Sequence, residues 1–184
     1  LKTLIVVLAL LPLGYTYYAL ESAIDPIKML YTTTGVGALL LLLLSLAPST
    51  CQRFCALNLL RFRKTLGLLA FVYALLHVSV FIVLDSELDF VTLFAKSLKK
   101  PFIYVGVIAF LILLLMALTS TKKLFARFSR YHKAVYGALV LILLHDFWAQ
   151  KVAGAFEYGM MAIGIVLLGE RVWKECRFNM SKRH

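Results

Sequence analysis

Long apolar runs separated by short polar or proline-bearing breaks make up most of this chain. Reading from break to break predicts six helices, near residues 2–20, 27–47, 62–84, 101–120, 131–149 and 153–172. Each approaches the length of about 20 residues that an α-helix needs to cross hydrocarbon. Proline opens two of them, in "DP" at 25–26 and "KP" at 100–101, where its missing N–H costs nothing. Pro48 is expected to help end the second. That second run starts weakly, because "DPIKMLYTTTG" is polar enough to read as an interfacial turn. The first run, "LKTLIVVLALLPLGYTYYAL", could mimic a secretory leader, but it lacks a small-x-small cleavage site and more runs follow. It reads as a first membrane helix. The pattern therefore predicts an all-α fold, a polytopic six-helix transmembrane bundle forming one domain over residues 1–184.

Composition agrees. Hydrophobic residues make up 62% of the 184 and charged residues 16%, where a soluble domain carries about 25% charged. Mean hydropathy is +0.88. The net charge of +11 would suit nucleic acid until its placement is considered. With the N-terminus cytoplasmic, that side collects Lys2, Arg53, Arg61, Arg63, Lys64, Lys122, Lys123, Arg127, Arg130, Lys133, Arg171, Lys174, Arg177, Lys182 and Arg183. The other side keeps Lys28, Lys96, Lys99, Lys100 and Lys151, with the acids Glu21, Asp25, Asp85, Glu87, Asp89, Asp146 and Glu157. Such a bias in short loops orients a membrane protein with both termini in the cytoplasm. The basic surplus is thus a topology signal, with anionic lipid as a secondary partner and no nucleic acid. Cys51, Cys55 and Cys176 all fall on the reducing side and are expected as free thiols. His184 is expected to be a solvated tail residue.

Three histidines interrupt the apolar pattern. Ionisable groups inside spans are rare and expensive, so each calls for a reason. His77 and His145 both lie about 13 residues from the cytoplasmic start of their spans, which puts both imidazoles about 18–20 Å deep. Two histidines level on two helices suit axial ligation of a flat macrocycle, because neutral imidazole is a good haem iron ligand. Small residues accompany them: Gly67, Ala70 and Ala74 before His77, and Ala134, Ala138 and Ala149 around His145. The same pattern serves close helix packing, and the same pair could ligate another metal or relay protons. His132 lies about 20 Å closer to the cytoplasm than His145. It follows the basic amphipathic stretch "KKLFARFSRY", which suits a solvated interfacial histidine. The level position on the third span reads Arg63-Lys64, cations better matched to a haem propionate, a flavin phosphate or a lipid headgroup than to iron. His132 with Arg63 and Lys64 is therefore a candidate second haem, flavin or quinone site. Asp146 is expected at the outer surface.

One histidine on a third span and two spaced thirteen apart on a fifth resemble the ferric-reductase-like transmembrane domain, shared with NADPH oxidases. Within that superfamily the chain is similar to the haem-binding membrane subunit of the bacterial protein-methionine-sulfoxide reductase system. The segments that carry the resemblance are "DPIKMLYTTTGVGALLLLLLSLAPS", "RKTLGLLAFVYALLHVSVF", "KPFIYVGVIAFLILLLMALTST" and "RYHKAVYGALVLILLHDFW". Its most specific parts are "ALTS" at 117–120 and the order His132, Tyr136, His145, Trp148. The resemblance implies an inner-membrane b-type cytochrome, an electron-transfer subunit with His77 and His145 as haem b ligands and a second site at His132. Electrons would come from quinol, or through flavin (FMN) from a cytosolic flavin reductase, since no nucleotide-binding domain is fused to the chain. They would leave near Phe147 and Trp148 toward a periplasmic molybdopterin-containing reductase, which itself reduces methionine sulfoxide. Two departures, Phe128 with Tyr131 where the family often has tryptophan, and Val36 in place of a basic residue, bear on the cytoplasmic-side cofactor and donor. Competing readings are a ferric, metal or oxygen reductase of the same superfamily, and a haem-free transporter or assembly protein. The uninterrupted spans three to five argue against the last.

Overall fold

The computed structural model describes residues 2–54, 60–85, 88–89, 91, 99–150 and 154–181. Cys55, Glu87, Lys96, Lys151, Lys182, Arg183 and His184, which entered the charge and thiol readings, lie outside the described residues, as do the side chains of Cys51, Arg53, Asp85, Lys122 and Arg130. Among the described residues seven α-helices follow one another: α1 (Lys2–Ala19), α2 (Pro26–Phe54), α3 (Arg63–Val80), α4 (Pro101–Leu118), α5 (Lys122–Phe128), α6 (Ala134–Ala149) and α7 (Ala155–Ser181). Short 3₁₀ turns precede α3 and α6, and a π turn at Phe81–Asp85 extends α3. The described residues contain no strand, as an all-α fold requires.

Four stretches are long and apolar enough to cross a membrane: Lys2–Ser22, Pro26–Pro48, Leu60–Leu84 and Pro101–Leu118. The other two expected runs are helical as well. However, α6 has 16 residues, and α7 ends in a charged stretch. Leu4, Leu8, Leu111, Leu115, Ile165 and Val166 project outward from the bundle. Contiguous apolar exposure on that scale is foreign to a water-soluble monomer and natural against lipid tails. The protein is a multi-pass membrane chain.

Three boundaries differ from the expectation. The polar "DPIKMLYTTTG" segment is not a turn: α2 begins at Pro26, and the Asp25 carboxylate accepts the Lys28 N–H at 2.9 Å as its cap. The threonine hydroxyls are absorbed by the helix itself. Thr32 donates to the Lys28 carbonyl and Thr34 to that of Leu30. Pro48 does not end α2, which continues to Phe54; the missing N–H removes one ladder bond without stopping the chain. The last helix runs to Ser181, because Lys174–Glu170 and Arg171–Glu175 pairs one turn apart support it beyond the apolar stretch.

α2 packs along α3, and α4 along α6. The core seam on α2 follows the helical repeat, with Leu39, Leu42, Leu43 and Leu46 buried. It meets Ala70 and Tyr73 of α3, Val135, Ala138 and Leu139 of α6, and Met160 and Leu167 of α7. Phe71 of α3 stacks on Phe110 of α4 at 5.9 Å, which ties the two helix pairs together. α1 is held from outside: the buried Tyr73 hydroxyl donates to the Ala9 carbonyl, and Thr33 of α2 donates at 2.9 Å to Thr16, whose own proton goes to the Pro12 carbonyl. At the opposite end of the bundle from these outer contacts, Lys133 meets Glu175 at 2.6 Å and the Arg171 guanidinium lies over the Tyr136 ring. That ion pair is fully exposed and holds the Glu175 carboxyl below its usual range through the hydrogen bond from Lys133.

Candidate functional site

The centre of the site is a pair of imidazoles. His77 near the end of α3 and His145 near the end of α6 have ring centroids 6.1 Å apart and planes at 87°. Their equal depth, expected from counting residues, becomes direct proximity once α2–α3 and α4–α6 pack side by side.

Each ring is held by a different neighbouring helix. His145 leans on α4, where its Nδ1 lies 2.7 Å from the Phe102 carbonyl oxygen. A carbonyl can only accept, so this nitrogen carries the proton and Nε2 keeps its lone pair. Gly106, one turn after Phe102, makes the approach feasible: a Cβ there would sit 2.6 Å from His145 Nδ1. The Phe102 ring tilts against the imidazole at 5.8 Å.

His77 leans on α2. Its Nδ1 is 3.2 Å from Thr34 Oγ1. The Thr34 hydroxyl lies 2.6 Å from the Leu30 carbonyl and donates its proton there, so its remaining lone pair accepts Nδ1–H from His77. Nε2 is again the nitrogen left with a lone pair. Gly35 provides the space beside the ring, since a Cβ would meet His77 Cε1 at 3.1 Å. Tyr31 covers the imidazole edge-on at 5.3 Å.

This arrangement fits an iron that brings its own equatorial ligands. Two metal–nitrogen bonds of about 2 Å each, together with the ring radii, span about 6 Å between centroids, close to what is found. Among the described residues no group of three or more His, Cys, Asp or Glu is assembled. Two imidazoles alone are too few for a bare structural or catalytic metal ion, which takes three or four protein ligands. They are the right number for a macrocycle-bound iron. The engaged Nδ1 atoms supply the outer hydrogen bonds that fix such ligands in place.

The small residues expected around the pair divide in two. Ala70 and Ala138 are fully buried in the helix seam, and Ala74 packs beside them. Ala134 and Ala149 face outward. Sequence reading missed Tyr31, Thr34, Gly35, Phe102 and Gly106. The available signal was a glycine inside each of two apolar spans, roughly level with the histidines across the bundle.

His132 sits in the 3₁₀ turn Ser129–Lys133, before α6. Its Nε2 lies 3.1 Å from Thr119 Oγ1, and Phe125 of α5 covers it edge-on at 4.7 Å. Thr119 donates to the Leu115 carbonyl at 2.7 Å, so it accepts Nε2–H from His132. The "ALTS" tetrad thus serves His132 through its threonine. Arg63 is near enough to act on this imidazole electrostatically, whereas Lys64 is exposed. At the other end, Phe147 packs against Tyr158 of α7 at 6.1 Å, and Trp148 is half exposed. Asp146 is partly buried rather than fully solvated.

The model of the ferric reductase like transmembrane component family matches residues 32–143, a segment that contains His77 and His132 and ends two residues before His145. The heme-binding subunit MsrQ of protein-methionine-sulfoxide reductase from Xanthomonas axonopodis pv. citri (strain 306) is 35% identical over 191 residues, covering 95% of this chain and 86% of that protein. The MsrQ subunit of Xanthomonas oryzae pv. oryzae (strain MAFF 311018) is 33% identical over 98% of this chain and 89% of its own length. That of Brucella ovis (strain ATCC 25840 / 63/290 / NCTC 10512) is 35% identical over 83% and 70% respectively. The chain belongs to the ferric-reductase-like transmembrane family, in its MsrQ group. No solved structure matches it.

Proposed function

We propose that the chain is a haem-binding, electron-transferring membrane subunit of a methionine-sulfoxide reductase system. One observation carries the reading: two facing imidazoles, each with Nδ1 engaged and Nε2 left with its lone pair, and no third protein ligand beside them among the described residues. His77 and His145 would hold the iron of a haem b. When bound, that group supplies a one-electron couple within the membrane. The chain's own residues orient the two ligands through Thr34 and Phe102, surround them with apolar side chains, and keep water from the pair.

The six apolar runs form one transmembrane domain in the bacterial inner membrane, with both termini cytoplasmic. The bias of Lys and Arg supports this orientation. His132, Arg63 and Lys64 form the donor end. His132 already commits Nε2 to Thr119, and its neighbours are a phenylalanine and a cation. This environment favours a quinone or a flavin such as FMN over a second haem. Quinol or a cytosolic flavin reductase would supply the electrons. Phe147 and Trp148 mark the exit toward a periplasmic molybdopterin-containing partner, on which methionine sulfoxide is reduced.

The test is acceptor choice. Purified, haem-replete protein is reduced and mixed either with the periplasmic reductase and oxidised methionine, or with a ferric chelate. Reoxidation that requires the reductase and its substrate supports the reading. Equal or faster reoxidation by the chelate alone points to a metal reductase instead. A colourless preparation after haem-replete expression would leave only the haem-free alternative.

A further inference from the structure

The two imidazoles at the centre of the site are not held in the same way. His145 donates Nδ1–H to a backbone carbonyl, Phe102, which no substitution at that position removes. His77 has a side chain, Thr34, as a partner in addition to the backbone of Tyr31. Thr34 is buried, and its hydroxyl bridges two helices: it donates to Leu30 within α2 at 2.6 Å and stands 3.2 Å from His77 Nδ1 on α3. The proton of that hydroxyl is therefore committed, and the hydroxyl can serve His77 only as an acceptor.

We infer that Thr34 is a positioning residue for the proposed haem iron: by accepting Nδ1–H it fixes the His77 tautomer that leaves Nε2 free and makes that imidazole a stronger donor. The inference rests on the reading of His77 and His145 as axial ligands. The chemistry is general. An acceptor on the far nitrogen of a ligating imidazole orients the ring and raises its basicity. A more basic axial ligand stabilises the oxidised metal and lowers the reduction potential. Removing the Thr34 acceptor while keeping the shape leaves the imidazole with the Tyr31 backbone alone in an apolar site. The ring is then held less firmly and is a weaker donor, and the potential rises.

The geometry also provides a control next door. Thr33 precedes Thr34 on the same helix, but its hydroxyl bonds Thr16 of α1 instead, donating because the Thr16 proton goes to the Pro12 carbonyl. A variant there removes an interhelical hydrogen bond of comparable size without touching His77.

The experiment is a redox titration of purified, haem-replete protein carrying Thr34→Val, Thr34→Ser or Thr33→Val, with the low-spin spectrum recorded for each. Thr34→Val is expected to keep bound haem but to raise its midpoint potential and alter the low-spin signature. Thr34→Ser restores the native potential, and Thr33→Val leaves it unchanged. A native potential in Thr34→Val overturns the inference, as does an equal rise in Thr33→Val, which would mark a general loosening of α2. Failure of the underlying reading looks different: His77→Ala, run alongside, would then keep the native low-spin spectrum. If Thr34→Val does not accumulate, Thr34→Ala and Thr34→Ser provide the same comparison.

Discussion

Gly106 shows how much of this site is decided by single atoms. The His145 ring occupies the position where a side chain at 106 would begin, 2.6 Å from a would-be Cβ. Backbone on both sides is helical, so the neighbour that yields must be the imidazole. Gly106→Ala is therefore expected to break the bond to the Phe102 carbonyl and to lower haem content several-fold in protein expressed with ample haem, measured as pigment per mole of protein. Gly35→Ala meets a looser contact of 3.1 Å at His77 and is expected to have a smaller effect in the same assay. If Gly106→Ala retains full pigment with an unchanged spectrum, the packing account of His145 is wrong. At this scale the sequence was half legible. The histidines stood out because imidazole is costly in hydrocarbon. Their partners did not, because a threonine that bonds its own helix and a backbone carbonyl leave no mark on an apolar pattern.

At the scale of elements, alternation of apolar runs and breaks anticipated the four described stretches long and apolar enough to cross a membrane, since a membrane span has to satisfy its backbone internally. Endings were less legible. Proline at 48 removes one hydrogen bond, and α2 accommodates the loss; charge pairs one turn apart extend α7 where hydropathy alone would stop it. The attachment of α1 is a further case. Its inner face offers few buried residues, and the Tyr73 hydroxyl on the Ala9 carbonyl is one of the bonds that hold it. Tyr73→Phe keeps the ring and removes that bond. It is expected to cost about 1 kcal/mol, read as a lower thermal midpoint in detergent with unchanged helix content. An unaltered midpoint would show that α1 is held by side-chain packing alone.

For the molecule as a whole, the proposed orientation rests on where the charges gather. Arg63, His132, Lys133, Arg171 and Glu175 gather at one end of the bundle, and Asp25, Asp146 and Glu157 lie toward the other. A fluorescent protein fused after His184 is expected to fluoresce, and an alkaline phosphatase fused there to be inactive. The reverse result would invert the bundle and exchange its donor and exit ends. Composition could not show how the bundle closes, because α2–α3 and α4–α6 pairing depends on seam residues such as Ala70 and Ala138 that resemble any small residue in a span.

The central claim, that His77 and His145 hold one haem between them, is tested most directly by the visible spectrum of purified, haem-replete protein and its single variants. The account predicts a low-spin bis-imidazole spectrum in the native chain, lost in both His77→Ala and His145→Ala and retained in His132→Ala. A native spectrum in either of the first two variants would contradict it.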